Sequence, residues 1–400
     1  MTRDATDAWN RGEANALSVS LTGPESHRLL YEPGRGDLRI APPGLCHDVA
    51  DLPVESGVAV DWSALADLRT TSGYRWPRFL YYVGDDPSLF SWARGLQPGL
   101  EDLSWTPTAS AKIDASDANI STLTVNLTRR VPVELHVPRS CTHLTLRGDI
   151  SLATVRTKAV DPDMQLTLAP RTSPSVEADP LAIPPLPGLG ALRHLGITNA
   201  PLRQAIDITS ISTITTLKGL AVSGSVTGLE AIADLTSLES LAFRYVADLQ
   251  GMPPLASLPA LSSLIAWNVE ESAGKRLRTE CRALEMPKLG DGEGYSVSQL
   301  RRPDWFFENH RLPFSAWTSK SARAATRAFR RAEKQIATIE HDDAAVDVLA
   351  AFGRAIAELR GLETTEREDA REAFALLAAA AGCDLDRATI DDVFGRHCDF

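Results

Sequence analysis

Apolar residues recur through the middle of the chain in a short fixed pattern: one apolar position, two others, a second apolar position, one polar, then a third. The clearest copies are Leu192–Leu195–Ile197, Leu217–Leu220–Val222 and Leu238–Leu241–Phe243, and Leu261–Leu264–Ala266 weakens only at its last position. Asp163–Leu166–Leu168, Cys141–Leu144–Leu146, Ile120–Leu123–Val125 and Leu100–Leu103–Trp105 fit with rising degeneracy. First positions of successive copies lie 20, 21, 22, 29, 25, 21 and 23 residues apart. Within each copy the second and third apolar positions alternate with polar ones, which predicts a strand with one buried face. Ahead of the later strands the apolar period changes to three, as in Ile208, Ile211, Ile214, Leu217 and again in Leu255, Leu258, Leu261. That spacing predicts a tight return side, partly 3₁₀. An amphipathic bundle could also repeat every three residues, but Leu258-Pro259, Pro253-Pro254 and Gly224 would break its helices.

A period of this length with this strand pattern is that of a leucine-rich repeat. One unit cannot bury its apolar edge alone, so units stack and share a continuous core. The fold class expected is therefore α/β: a solenoid with a parallel sheet on its concave face, over residues 99–288. Residues 1–98 carry no clear repeat and are expected to flank or cap it. There Val58-Ala59-Val60 and Phe79–Val83 read as strands, Ser63–Leu68 as a helical turn and Trp76–Phe79–Tyr81 as a degenerate first repeat. Six prolines between Ala169 and Pro187 account for the step of 29 residues as an inserted loop. Beyond Ala283 the pattern changes again: Gly290–Gly294 reads as a turn-rich exit, and residues 289–400 are expected to form a small all-α domain. Its helices are placed at Ser321–Ile339, Ala344–Leu359, from the capping box Thr365-x-x-Glu368, and near Ala388–Phe394.

Charge and composition narrow the function classes. The chain has 400 residues, 44 % hydrophobic and 23 % charged, with a formal net charge of −11, which fits a folded soluble protein. A surface of that sign offers no footprint for nucleic acid or an anionic membrane. No apolar run reaches membrane-spanning length and Met1–Leu17 has no signal-peptide core, so a cytoplasmic location is expected. Cys46, Cys141, Cys281, Cys383 and Cys398 stand far apart without zinc spacing, which points to reduced thiols and no metal or cofactor.

The series Ile206-Asp207-Ile208-Thr-Ser-Ile211-Ser-Thr-Ile214-Thr-Thr-Leu217 resembles the short repeats of bacterial internalin-type proteins. Those repeats carry an asparagine ladder at the ninth position, where this chain has Ala200, Ser225, Val246 and Val269. From about residue 75 onward the chain is also similar to an actinobacterial leucine-rich-repeat family of uncharacterised function. That similarity rests on the repeats, on Trp305-Phe-Phe-Glu-Asn309-His-Arg-Leu-Pro313-Phe314-Ser-Ala-Trp317, on Thr365–Asp369 and on the closing segment to Phe400. It implies the fold, and it implies no activity.

Candidate chemistry is sparse. The stripe Arg323, Arg327, Arg330, Arg331, Lys334 lies beside Glu333 and His341-Asp342-Asp343 and reads as a solvated helix face. Asp85-Asp86 and Asp342-Asp343 lack metal-loop spacing, and Arg35-Gly36-Asp37 reads as a turn. Cys383-Asp384 and His397-Cys398-Asp399 resemble faintly the thiol site of ubiquitin-ligase effectors that carry leucine-rich repeats, but the helical segment is much shorter and the flanking motif differs. No phosphate loop, H-E-x-x-H or serine triad order is present. What remains is binding. On the concave face most positions are small and polar, against which Arg244, Tyr245, Trp267 and Asn268 form one patch and His143, Arg147 and His194 a weaker one. Tryptophan, tyrosine and arginine are the residue types that dominate interface energies. The expectation is a non-catalytic scaffold for another protein, with a thiol enzyme and a self-assembling component as the alternatives.

Overall fold

Each repeat contributes one strand to a parallel sheet of twelve among the described residues, running in space from Leu52–Pro53 at one edge to Gly294–Ser298 at the other. The computed structural model describes residues 3–30, 35–43, 50–127, 131–156, 161, 163–173, 178–184, 191–289, 293–310, 312, 314, 317, 319–336, 339, 342–359, 362, 364–380 and 393–396. The chain divides into one unit that ends at Pro303 and another from Asp304 to Phe400.

Register in the sheet follows the apolar pattern. Leu195, Leu220, Leu241 and Leu264 pair across neighbouring strands, as do Ile197, Val222, Phe243 and Ala266. All eight are buried and share one core that runs from Trp9 to Val297. A side chain of this size contributes about 1.5–3 kcal/mol when removed from water, so the stacked ladder is the main source of cohesion. The period of three also has its physical cause in view. Ile211 N donates to Ile208 O, Ile214 N to Ile211 O and Leu217 N to Ile214 O, so the return side is a chain of three-residue turns with its apolar residues stacked inward.

The sheet passes both expected limits of 99–288. It starts at Asp37–Ala41 and Phe79–Val83 and ends at Gly294–Ser298, because the terminal strands keep the alternation without the leucine motif. The Arg3–Asn10 helix and the Ala16–Val19/His27–Leu30 hairpin add Trp9, Leu17, Val19 and Leu29 to the same core. Two local expectations also change. Val58–Val60 forms no strand, and the helical turn is a 3₁₀ segment at Trp62–Leu65. Trp76–Phe79–Tyr81 is out of phase by one residue: Leu80 and Tyr82 are the buried pair, opposite Leu103 and Trp105. A slip of one residue turns the whole strand over, so Phe79 and Tyr81 face outward.

Part of the proline-rich insertion is built in: Leu181–Ala182 pairs with Ile206–Asp207, which pairs with Val226–Thr227 on the return side. The missing asparagine ladder is replaced by two devices. Backbone bonds between successive coils serve the ninth position, with Ser225 N donating to Ala200 O and Glu270 N to Val246 O. Asn199, one position earlier and buried, donates to Gln204 O and Ser225 O and accepts from Ala200 N. Asp85 and Asp86 are structural too. Asp85 accepts from Gly57 N, and Asp86 accepts from Val60 N, Trp62 Nε1, Ser88 N and Ser88 Oγ. Burial pushes the Asp86 carboxyl up, and those donors outweigh it and hold it below its ordinary range. Arg35-Gly36-Asp37 is not a turn, since Asp37 opens a strand and takes the Arg35 guanidinium at 3.0 Å.

The second unit has its own apolar core. Helices Ser319–Ile336, Asp342–Ala357 and Thr364–Ala380 enclose a run of ring contacts, Phe314–Phe329–Phe352–Phe374–Phe394. Trp317 donates from Nε1 to Asp369 at 3.0 Å. The aromatic motif that carries the family resemblance thus places Phe314 and Trp317 in a core. Arg323, Arg327, Arg330, Arg331 and Lys334 are exposed on one helix. Residues 393–396 are helical, and the rest of the expected last helix lies outside the described residues.

Candidate protein-binding face

Parallel pairing turns the outward positions of the sheet into rows. One row reads Asp37, Phe79, Asp102, Thr122, His143, Gln165, His194, Gly219, Ser240, Ser263, Gly294. The middle row begins with Arg39, Tyr81 and Ser104 and passes through Thr124, Thr145, Thr167, Gly196, Ala221 and Ala242. A third row carries Arg147 at mid-sheet and Arg244, Trp267 and Ser298 at the C-terminal end. The floor between the two ends is therefore mostly small and polar, broken at mid-sheet by His143, Arg147 and His194, while aromatic rings stand at its two ends.

At the C-terminal end Arg244 and Trp267 are direct register partners, with strands about 4.8 Å apart. Arg244 is exposed and Trp267 half-buried. Tyr245 follows its strand with φ of 53°, in the left-handed region, and its N–H still donates to Trp267 O at 3.1 Å. This turn brings its ring edge-on to Trp267, with centroids 4.9 Å apart and planes at 82°. A non-glycine residue there carries strain of about 1–2 kcal/mol, set against an aromatic contact worth about 0.5–1.5 kcal/mol. Asn268 does not add to this surface. Its side chain is buried and accepts from Arg301 Nε at 2.7 Å, fastening the segment that follows the last strand.

His143, Arg147 and His194 do not converge. His143 and His194 share a row with Gln165 between them, about 10 Å apart at the usual strand spacing, and Arg147 lies four residues along from His143 in a different row. His143 is exposed and its Nδ1 lies 2.9 Å from Thr142 Oγ1. His194 leans over Gly219, where a Cβ would come within 2.7 Å of its Nδ1.

The N-terminal end holds a cluster that the sequence reading missed. Arg35 makes a two-pronged pair with Asp51 at 2.7 Å and also meets Asp37. Arg39 stands 3.7 Å from Asp37 and 5.4 Å from the centroid of the Tyr81 ring. Arg78 grips Glu101 with two bonds of 2.7 Å and lies 5.3 Å from the Phe79 ring centroid. Asp102, half-buried beside Phe79, takes no hydrogen bond or ion pair among the described residues, and burial raises its carboxyl above the ordinary range. Burial also raises the Tyr81 hydroxyl, helped by Asp102 and Asp37 and opposed by Arg39. The one usable signal was polar Arg39 between Leu38 and Ile40, since the Phe-Leu-Tyr-Tyr-Val strand is apolar on both faces.

Among the described residues no group of three or more histidine, cysteine, aspartate or glutamate side chains could hold a metal ion, and no helix is long and apolar enough to cross a membrane. Cys141 and Cys281 are free and buried, with burial pushing each thiol up to about 11, while Cys46, Cys383 and Cys398 lie outside the described residues. No protein-family model matches the chain, and no curated protein matches it. Solved structures similar to it include two internalins of Listeria monocytogenes. Internalin C2 is 20 % identical over 38 % of this chain and 64 % of its own length, with a TM-score of 0.20. Internalin F is 12 % identical over 55 % and 68 %, with a TM-score of 0.23. Less than two thirds of internalin C2 is spanned, and at these scores neither adds to what the strands and repeats establish.

Proposed function

We propose that this protein is a non-catalytic scaffold that binds another protein on the concave face of its repeat sheet, with Arg244, Tyr245 and Trp267 as the main anchors. One observation carries the reading: a strained tyrosine is held edge-on to a half-buried tryptophan, beside an exposed arginine, on a sheet whose other side chains are mostly small. The left-handed turn belongs to the strand exit, and what sets this one apart is the ring it carries against Trp267; rigid aromatics lose little freedom when a partner covers them. His143, Arg147 and His194 extend the same face and serve as peripheral contacts. The buried free thiols support a reducing, cytoplasmic setting. The repeats together with the Trp305–Trp317 motif support membership of the actinobacterial family that the sequence resembles.

The test is an affinity pull-down from native lysate, read by mass spectrometry, with the Arg244→Ala/Trp267→Ala variant as the comparison bait. Loss of a tryptophan anchor costs about 2 kcal/mol or more, so the variant should lose its specific protein while keeping its melting temperature within a few degrees. Identical recoveries by the two baits would remove the aromatic patch from the interface. A variant that melts far earlier would assign Trp267 to the fold.

A further inference from the structure

At the N-terminal end of the concave face one carboxylate stands without a basic partner among the described residues. Three guanidinium groups stand there, and each has a carboxylate partner: Arg35 with Asp51, Arg39 with Asp37, and Arg78 with Glu101. The fourth carboxylate, Asp102, has none among the described residues. It is not a residue left over at a loop tip. It sits within a strand, in register between Phe79 and Thr122, half-buried on the open face of a rigid sheet. Partial burial of a carboxylate without a partner opposes its ionisation, and a cation brought beside it would relieve that cost. Phe79 is its direct neighbour, and Tyr81, 43 % exposed, lies diagonally beside it. Arg78 already lies over the Phe79 ring and Arg39 over the Tyr81 ring, so what the rings offer a further basic side chain is apolar contact along its aliphatic stem.

We propose that this end of the concave face seats a lysine or arginine side chain of the bound protein, paired with the Asp102 carboxylate and lying against Phe79 and Tyr81. The proposal rests on the concave-face reading above and adds the chemistry of the partner. From the Asp102 strand to the Trp267 strand there are seven strand steps, about 34 Å at the usual spacing. The partner therefore presents a basic residue at one end of its footprint and meets the aromatic patch at the other, a span suited to a protein domain or an extended segment of about ten residues. Because the other charges at this end are already paired with each other, the seat discriminates by sign: an acidic residue placed there would meet Asp102 unscreened by any unpaired guanidinium among those three.

The experiment uses the full chain and a random linear peptide library displayed on phage. Peptides enriched on the wild type should share a lysine or arginine. Their binding should fall about tenfold or more on Asp102→Asn, the loss expected when one member of a partly buried charge pair is removed. Asp102→Asn should itself melt slightly above the wild type, since a carboxylate without a partner is replaced by a neutral group of equal size. Enriched peptides without a basic residue, equal binding by Asp102→Asn, or no enrichment at all would overturn the proposal. So would a variant that melts well below the wild type, which would give Asp102 a structural partner. The two readings separate in the same assay. Peptides lost on Trp267→Ala but kept on Asp102→Asn leave the concave face as the interface and remove the basic seat, whereas peptides indifferent to both substitutions remove both.

Discussion

Asp102 is a half-buried carboxylate whose ionisation burial opposes, and the sign of its effect follows from linkage. Burial raises its carboxyl in the folded state, and its charge in turn raises the Tyr81 hydroxyl. A carboxyl raised on folding opposes the fold above its folded pKa, and that penalty disappears as pH falls through it and the group takes up a proton. Asp102→Asn should therefore melt above the wild type at neutral pH, with the difference shrinking towards zero below the ordinary carboxylate range. Melting curves from pH 7 to pH 3 check this, and a difference that grows on acidification would reverse the sign. The aromatic patch was legible at this scale because residues one repeat apart, such as Arg244 and Trp267, become neighbours in any parallel solenoid. Asn268 was misread because the sequence cannot show that its neighbour Arg301 folds back onto it. Phe79 and Tyr81 were missed because their strand is apolar on both faces, so its phase is set by packing against Leu103 and Trp105.

Among the elements, the strand exit is the most constrained. At the eighth position of several repeats, and after the last strand, the backbone turns left-handed: φ is 91° at Gly148, 83° at Gly224, 53° at Tyr245, 51° at Asn268 and 54° at Gln299. The turn takes the chain off the sheet while the N–H still reaches the next strand, as Gly224 N does to Arg244 O. Glycine and asparagine enter that region readily and tyrosine and glutamine do not, so Tyr245 and Gln299 carry strain that Gly148 and Gly224 avoid. Gly224 has a second constraint, since a Cβ there would lie 2.1 Å from Asn199 O, whereas at Gly57, with φ of 79°, nothing lies within 4 Å. Gly224→Ala should cost at least about 2 kcal/mol and Gly57→Ala about 1 kcal/mol, as left-handed strain alone. Denaturant titration separates the two; equal losses would show that the close approach adds nothing. Strands and three-residue turns were readable from their periods of two and three. The replacement of the asparagine ladder by Asn199 and by coil-to-coil backbone bonds was not, because it depends on which carbonyl each turn presents.

For the molecule as a whole, one continuous core ties residues from Trp9 to Val297 into a solenoid unit, and a separate aromatic core organises the helical unit. The repeat period was enough to give the architecture, and it failed only at the terminal strands, where stacking needs alternation but not leucine. In the proposed function the two ends of the sheet, each carrying rings, would hold one long partner across a floor of mostly small side chains. If the partner lies on the concave face, photo-crosslinking will find it there, with a benzoylphenylalanine placed singly at Thr124, Thr167 or Ala221 on the open rows, and at Thr236 on the return side, in cells that make the protein. The three sheet positions should give one shared protein adduct and Thr236 none. An adduct formed from Thr236 and absent from the sheet positions would place the partner on the return side instead.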